Sequence, residues 1–474
     1  MRKVLLLAVI GLIIFFAGCK DDSYVATWPQ NAVEVMDYDE SPSGGLLRDK
    51  AAQYDAWHLQ WHQPYYGGTV EVYFADDART IMSGVGGYGD SCIWTGTYLG
   101  SQAMRYYVTG DPAAKANAIS MVDTLDGYLH VTGKEGFIAR YHAPQDSLGY
   151  RGDAACDASD SCHRVETGTY AGDFWEGNTS RDQYTGWFFG MSLAYDLIDD
   201  DAVKIKIRAD VKEVVTALMD NNWNITAQDG KPSKTAPQVQ ASMKLNFLIV
   251  GYHMTGDARM LKQIKTMLIN VNRTSIFISD INFFNQYLEY YGNNLAHTNW
   301  YNLLRLGKVY FGEDDYKWIV SEFNKSVHTF TRLSHNAWFN GIYMSQGGWV
   351  KSLSPTDPYY SEFILDLSDF RDAPNGEYSL PARDPLTYTI DPQSVKLHNL
   401  FEALNVDSFW KMIYIQADKA FPVPLQCPSD FLWQRNPFVI TACGSNNPKH
   451  VNPGVDYLVS YWLGSYHKFL NKGQ

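Results

Sequence analysis

The sequence lacks an excess of positive charge. Its 474 residues carry 39 Lys and Arg against 52 Asp and Glu, a formal net charge of −13. Nucleic-acid binding needs a basic footprint, so the composition argues against it, and against broad attraction to anionic lipid. Cysteines are few, six in all, and none forms a Cys-x-x-Cys pair. Structural zinc takes four close ligands, so a zinc-finger reading has no support. The chain holds no Gly-rich phosphate loop, no Gly-x-Ser-x-Gly elbow and no His-Glu-x-x-His helix. Their absence argues against nucleotide enzymes, α/β-hydrolases and zinc proteases. Beyond residue 17 no apolar run approaches the roughly eighteen residues of a transmembrane helix.

What is present begins at the N-terminus. Arg2 and Lys3 precede an apolar run from Val4 to Ala17, followed by Gly18 and Cys19. A basic start, a short apolar stretch and a small residue before the cut describe a secretory signal. Phe16-Ala17-Gly18-Cys19 resembles a bacterial lipobox. The resemblance implies removal of residues 1–18 and lipidation of Cys19; an ordinary signal is the alternative. Loss of Arg2 and Lys3 takes the charge from −13 to −15, so membrane attachment would come from the lipid. Lys20 follows Cys19, so the retention position is not acidic. The expected location is the cell envelope, lipid-anchored, at the outer membrane on its periplasmic or surface face.

In an oxidising compartment, Cys156 with Cys162 and Cys427 with Cys443 read as two local disulfides, and Cys92 as unpaired and buried. Residues 19–50 read as a polar tether and lead-in segment, and 51–474 as one domain. Aromatic residues make up 15% of the chain and are spread along it, which excludes a disordered chain or a coiled coil.

The repeated element is helical. Apolar residues at helical spacing run over 93–108 and stop at Thr109-Gly110-Asp111; a second helix follows over 113–131. The pattern recurs over 184–198 and 202–221 around Asp199-Asp200-Asp201. It recurs again over 242–254 and 258–271 around Thr255-Gly256-Asp257, and over 295–311 and 315–330 around Gly312-Glu313-Asp314. Each turn supplies a glycine or acidic stop and an acidic start. Further helices are expected over 51–62, 395–420 and 455–470. Helical hairpins in series predict an all-α fold, an α/α toroid with an incomplete or full six-hairpin barrel; an open solenoid is the alternative. Long irregular loops at 133–182, 222–241 and 334–394 favour the closed form.

Two stretches carry a family resemblance. Gly89-Asp90-Ser91-Cys92-Ile93-Trp94-Thr95-Gly96-Thr97-Tyr98-Leu99 and Arg181-Asp182-Gln183-Tyr184-Thr185-Gly186-Trp187-Phe188-Phe189 resemble inner-helix starts of bacterial six-hairpin glycosidase-like proteins. That group includes unsaturated glucuronyl and rhamnogalacturonyl hydrolases, with polysaccharide lyases among related toroids. As an architecture the resemblance covers about 90–330; residues 334–474 match nothing comparable. It implies a carbohydrate partner, and an Asp at an inner-helix start as general acid/base.

Asp182 takes that role in the resemblance, with Asp90 as its partner. Asp90 also sits where Asp caps helices well, so both readings stay open. Arg181, Gln183, Tyr184, Trp187 and Trp94 are the accompanying polar and stacking groups. Asn293, His297 and Tyr301 recur every four residues on one helical face, a pattern suited to the proton abstraction of a lyase or to a structural histidine. His58 and His62, four apart beside Trp57 and Trp61, read as a polar and aromatic face; they lack the third ligand a metal would need. Trp175, Trp433 and Arg435 are candidate sugar contacts, since rings beside polar loops can stack on sugar faces. No cofactor is implied. Asp153, Asp157 and Asp160 form an acidic loop suited at most to calcium, without the EF-hand spacing. The opposing readings are a non-catalytic glycan binder and a protein-interaction scaffold.

Overall fold

A computed structural model describes residues 47–145, 147, 161–279, 287, 290–345, 358–382, 388–403, 414–426 and 436–470. Cys19, Cys156, Cys427, Trp433, Arg435, Asp153, Asp157 and Asp160 lie outside the described residues.

The turn chemistry read from the sequence forms the hairpins. Helix α1 is Leu47–Trp61, α2 is Ser91–Thr109 and α3 is Pro112–His130. Between α2 and α3, Gly110 adopts φ 68° and ends the first helix, and Asp111 caps the next by accepting from the Ala113 amide. Only glycine enters that left-handed region without strain. Between helices α4, Arg181–Leu197, and α5, Asp201–Asp220, the aspartate cap recurs without the glycine: Ile198 leaves the helix in an extended conformation and Asp200 accepts from the amides of Ala202 and Val203. Gly256 and Asp257 repeat the device between α6, Ala241–Thr255, and α7, Ala258–Met267. A short helix α8, Asn270–Ser279, follows a break at Leu268 and Ile269, so the expected helix over 258–271 is divided. Helix α9, Tyr291–Tyr310, leads to α10, Glu313–Glu322. Here Gly312 lies at φ −63° as the N-cap of α10 and does not stop α9.

A fifth hairpin lies inside the stretch read as a loop. It consists of α11, Ala337–Ser345, and α12, Pro358–Asp369. Helix α11 is short and buried along nearly its whole length. A helix that is apolar all round shows no amphipathic period, which is why its pattern did not register. Helix α13, Pro392–Ala403, is shorter than the expected 395–420: Gln416 and Ala417 sit in β-bridges to Val439 and Ile390. Helix α14 is Val455–Tyr466.

Packing closes the series into a ring. Helix α2 packs on α4, α4 on α6, α6 on α9, α9 on α11, α11 on α14, and α14 back on α2. Outside them α3, α5, α7, α10 and α12 each cover the inner helix they follow, and α1 covers α14. The chain is therefore an all-α, six-hairpin α/α toroid, and the open solenoid does not apply. The ring is buckled by its ends: Tyr457 Oη donates to the Leu47 carbonyl at 2.7 Å, and Lys50 Nζ donates to the Ser368 and Phe370 carbonyls at 2.9 and 2.5 Å. The first five inner helices are each followed by a returning outer one and so run in one direction; α14, the last, begins beside the start of α11, where Asp456 and Asn336 line one cavity, so its N-terminus shares that face.

Helices α2 and α4 meet at backbone contact. A Cβ on Gly96 would lie 2.1 Å from the Gly186 carbonyl oxygen, and one on Gly190 would lie 2.2 Å from that of Gly96. Two small sheets stand on the loops. One orders β2 (Met82–Gly86), β1 (Glu71–Phe74), β7 (His450–Asn452) and β6 (Asn375–Gly376); the other orders β3 (Tyr141–Pro144), β5 (Asp173–Glu176) and β4 (Cys162–Arg164). Both are antiparallel. Among the described residues, no helix is long and apolar enough to cross a membrane.

Candidate active site at the start of two inner helices

The first turn of a helix leaves amide groups that need acceptors. In α2 those acceptors come from elsewhere in the fold. The Cys92 amide donates to the Arg140 carbonyl at 2.9 Å, and the Ile93 amide donates to Gln183 Oε1 at 3.0 Å. Asp90 occupies the N-cap position, yet its side chain makes no capping bond. Its carboxylate instead accepts from Gln183 Nε2 at 3.1 Å and lies 3.6 Å from Arg140 Nη1. Its side chain is 48% exposed. The capping duty that Asp would ordinarily perform falls to Gln183, and the carboxylate stays half-exposed.

Arg140 ties this corner together. Nη1 donates to the Gly89 carbonyl at 2.6 Å and Nε donates to the Asn178 carbonyl at 3.1 Å, so one guanidinium spans the loops that lead into α2 and α4. Behind the first loop, His450 pairs with Glu71 at 2.8 Å and Glu377 at 3.2 Å. Burial disfavours the imidazolium there, but the two carboxylates outweigh it and hold the His450 pKa above its ordinary value. Glu71 in turn packs against Gly87.

Asp182 lies in the first turn of α4, where the helix dipole favours negative charge. Burial nevertheless lifts its pKa above the usual carboxylate range. Arg181 opposes that rise, Asp90 adds to it, and Arg140 opposes it again. Burial and the charge of Asp90 thus raise the Asp182 pKa, while the Asp90 carboxylate accepts from Gln183 and lies near Arg140. The partly buried Tyr88 stands two residues before Asp90.

Other sequence candidates pack elsewhere. Trp94, Trp175, Trp187 and Tyr184 are buried; Tyr184 Oη donates to the Gly136 carbonyl at 2.8 Å, and Trp175 stacks on His163 at 4.1 Å between centroids. The expectation that these rings line a cleft is corrected: their apolar area is spent between helices and sheet. His58 and His62 are buried too. His58 stacks on Tyr98 at 3.6 Å, and His62 Nδ1 lies 2.8 Å from the Val70 carbonyl, consistent with an N–H donated to it. Asn293, His297 and Tyr301 share one helix face as read, but that face is interior, at 0% exposure for all three. His297 bonds the Asn293 carbonyl at 2.7 Å and stacks on Phe339, and Tyr301 Oη bonds His467 at 2.8 Å. Burial depresses the His297 pKa to about 3. Arg181 reaches the Gln238 carbonyl at 3.3 Å beside the candidate site. Cys92 is a buried free thiol.

Sequence reasoning missed Arg140, Glu71 and His450, and a second carboxylate cluster on the same face. His335, held at φ 50° just before α11, lies 3.1 Å from Asp366 and 3.4 Å from Glu362. Burial pushes Asp366 up to about 7. Asn336, Asp366, Asp456 and Ser460 line a cavity of about 10 Å³ there, room for about one water. The strained residue and the buried acids are features that gather at functional sites, but no signal in the sequence joins residues 31 positions apart.

No protein-family model and no curated protein matches the chain. Among solved structures it is similar to D-mannose isomerase, at 11% identity and TM-score 0.45 over 90% of this chain and 97% of that one. It is similar to cellobiose 2-epimerase from Spirochaeta thermophila DSM 6192, at 9% identity and TM-score 0.37, over 68% and 84%. It is also similar to a structure described as Bacteroides ovatus GH9, at 10% identity and TM-score 0.35, over 89% and 83%. The fold itself rests on the ring of inner helices: the chain has the six-hairpin α/α toroid that its two motifs resemble.

Proposed function

We propose that the chain is a carbohydrate-active enzyme that hydrolyses a glycosidic bond with Asp182 and Asp90. The observation that supports the reading is the relief of Asp90 from capping by Gln183, together with a half-buried Asp182 whose pKa is raised at the start of the neighbouring inner helix. In this mechanism Asp182 gives its proton to the leaving glycosidic oxygen as the bond to the anomeric carbon breaks. A water attacks that carbon and yields its proton to Asp90, so the product gains one water. Arg140 and Gln183 hold Asp90 in place, and Tyr88 offers a ring to a sugar face. General acid catalysis contributes about 10²–10⁴-fold. Asp182→Asn should therefore lower turnover on a responsive member of a glycan panel by that factor while leaving the fold intact. Unchanged turnover removes Asp182 from the mechanism, and retention of glycan without turnover by the parent protein marks a binder.

We also propose that Cys19 carries a lipid that anchors the chain in the bacterial envelope, and that Cys156–Cys162 and Cys427–Cys443 are disulfides. Release of a Cys19→Ala variant into the soluble fraction is the expected result for the anchor. Thiol labelling before and after reduction tests the pairs.

A further inference from the structure

The outer helices of the first two hairpins, α3 and α5, touch, and a second set of polar side chains meets between them. Asp126 and His130 stand one turn apart on α3 and therefore share a face; Asp210 reaches them from α5. His130 Nε2 lies 3.2 Å from Asp126 Oδ1 and 3.6 Å from Asp210 Oδ1. The ligand atoms of all three lie within 4.8 Å of one another. A tetrahedral ion with bonds of about 2.0–2.2 Å sets its ligands about 3.3–3.6 Å apart, close to the two distances from His130 to the carboxylates. A separate observation concerns Asp210 alone. Its residue is 3% exposed, and Oδ2 is enclosed with no hydrogen-bond partner among the described residues. An enclosed carboxylate oxygen without a donor is costly; in the metal-free protein a charged His130, held by both carboxylates, offsets part of that cost, and a bound metal cation takes its place.

We propose that Asp126, His130 and Asp210 form a divalent transition-metal site that clamps α3 to α5. One imidazole nitrogen with two carboxylates suits zinc-class ions and falls short of the six to eight oxygens calcium takes. The two carboxylates balance the 2+ charge. The His130 side chain is 41% exposed, so an ion enters from solvent and a water completes its fourth position. Lys206 Nζ lies 2.6 Å from Asp123 Oδ1 and 3.8 Å from Asp126 Oδ2. It orients the outer oxygen of Asp126 and its charge weakens the site, without occupying it.

The test uses the untagged full chain, stripped with a chelator and titrated with Co²⁺, then with Zn²⁺. The expected result is one equivalent bound with the visible absorption of tetrahedral Co²⁺, displaced by Zn²⁺, and a melting temperature raised by Zn²⁺. His130→Ala, a change at an exposed side chain, should weaken binding at least 100-fold and abolish the thermal shift. Lys206→Ala should tighten binding, a gain that misfolding cannot mimic. Absence of Co²⁺ binding at millimolar metal, or equal affinity in parent and His130→Ala, overturns the site. The readout is metal binding, so it stands apart from the glycan chemistry.

Discussion

Replacing Gly96 with alanine tests the contact that sets the candidate site. The added Cβ would lie 2.1 Å from the Gly186 carbonyl oxygen, 2.4 Å from its carbon and 2.8 Å from the Trp187 amide nitrogen. All three are backbone atoms, so no side-chain rotation relieves the overlap. Restoring an ordinary separation of about 3.4 Å requires α2 and α4 to part by roughly 1.3 Å. Overpacking costs about 1–3 kcal/mol when side chains can yield, and here the upper end applies. The same movement stretches the 3.0 Å bond from the Ile93 amide to Gln183, and a buried donor left unpaired costs about 1–3 kcal/mol more. A loss of about 4–6 kcal/mol is expected, read as a shift of the urea midpoint at constant slope. Gly89→Ala is the control: a Cβ there meets nothing within 4 Å, so its stability should change by less than about 0.5 kcal/mol. A Gly96→Ala protein as stable as this control would refute the backbone contact and the geometry of Asp90 and Asp182 that depends on it.

Three further outcomes follow from the same structure. Gln183→Met keeps the bulk but removes the acceptor for the Ile93 amide and the donor to Asp90; it should cost about 1–3 kcal/mol in urea unfolding. Arg140→Gln removes a cation that lowers the Asp182 pKa, so the alkaline limb of kcat/KM should move to higher pH; a shift to lower pH would contradict the assignment of Asp182 as the acid. Burial holds the pKa values of His62, His297 and His467 at about 4, 3 and 3. These histidines are neutral in the folded state, while the unfolded chain takes up protons below about pH 6.5. Their contribution is present above that pH and is lost as pH falls toward 3–4. His467→Gln should therefore flatten the pH dependence of stability between pH 6 and 4 by about 1.4 kcal/mol per pH unit; an unchanged slope would mean that His467 is not held neutral.

The parts of the fold that were legible are those made by neighbours in the chain. Gly110 and Asp111, like Gly256 and Asp257, stop one helix and start the next through bonds that span two to four residues. The fifth hairpin was illegible because α11 is buried all round and carries no amphipathic stripe. The strands were missed because they are short and stand on loops. At the candidate site, Asp90, Asp182, Arg181 and Gln183 could be named, since each opens an inner helix. Arg140 could not, because it sits in a stretch read as loop and acts through bonds to residues 38 and 51 positions away.

The sequence by itself therefore determined an acidic, hairpin-built, all-α chain, because glycine stops and aspartate caps are local chemistry. Only the tertiary structure decided that six hairpins close into a ring, since closure depends on α14 meeting both α1 and α2. It also decided which polar groups reach solvent. The rings of Trp94, Trp175 and Trp187 and the imidazole of His297 went to the core, where burying apolar area outweighs the polar company they keep in sequence. Asp90 stayed half-exposed because Gln183, from another helix, performs the capping that its position would otherwise have required of it.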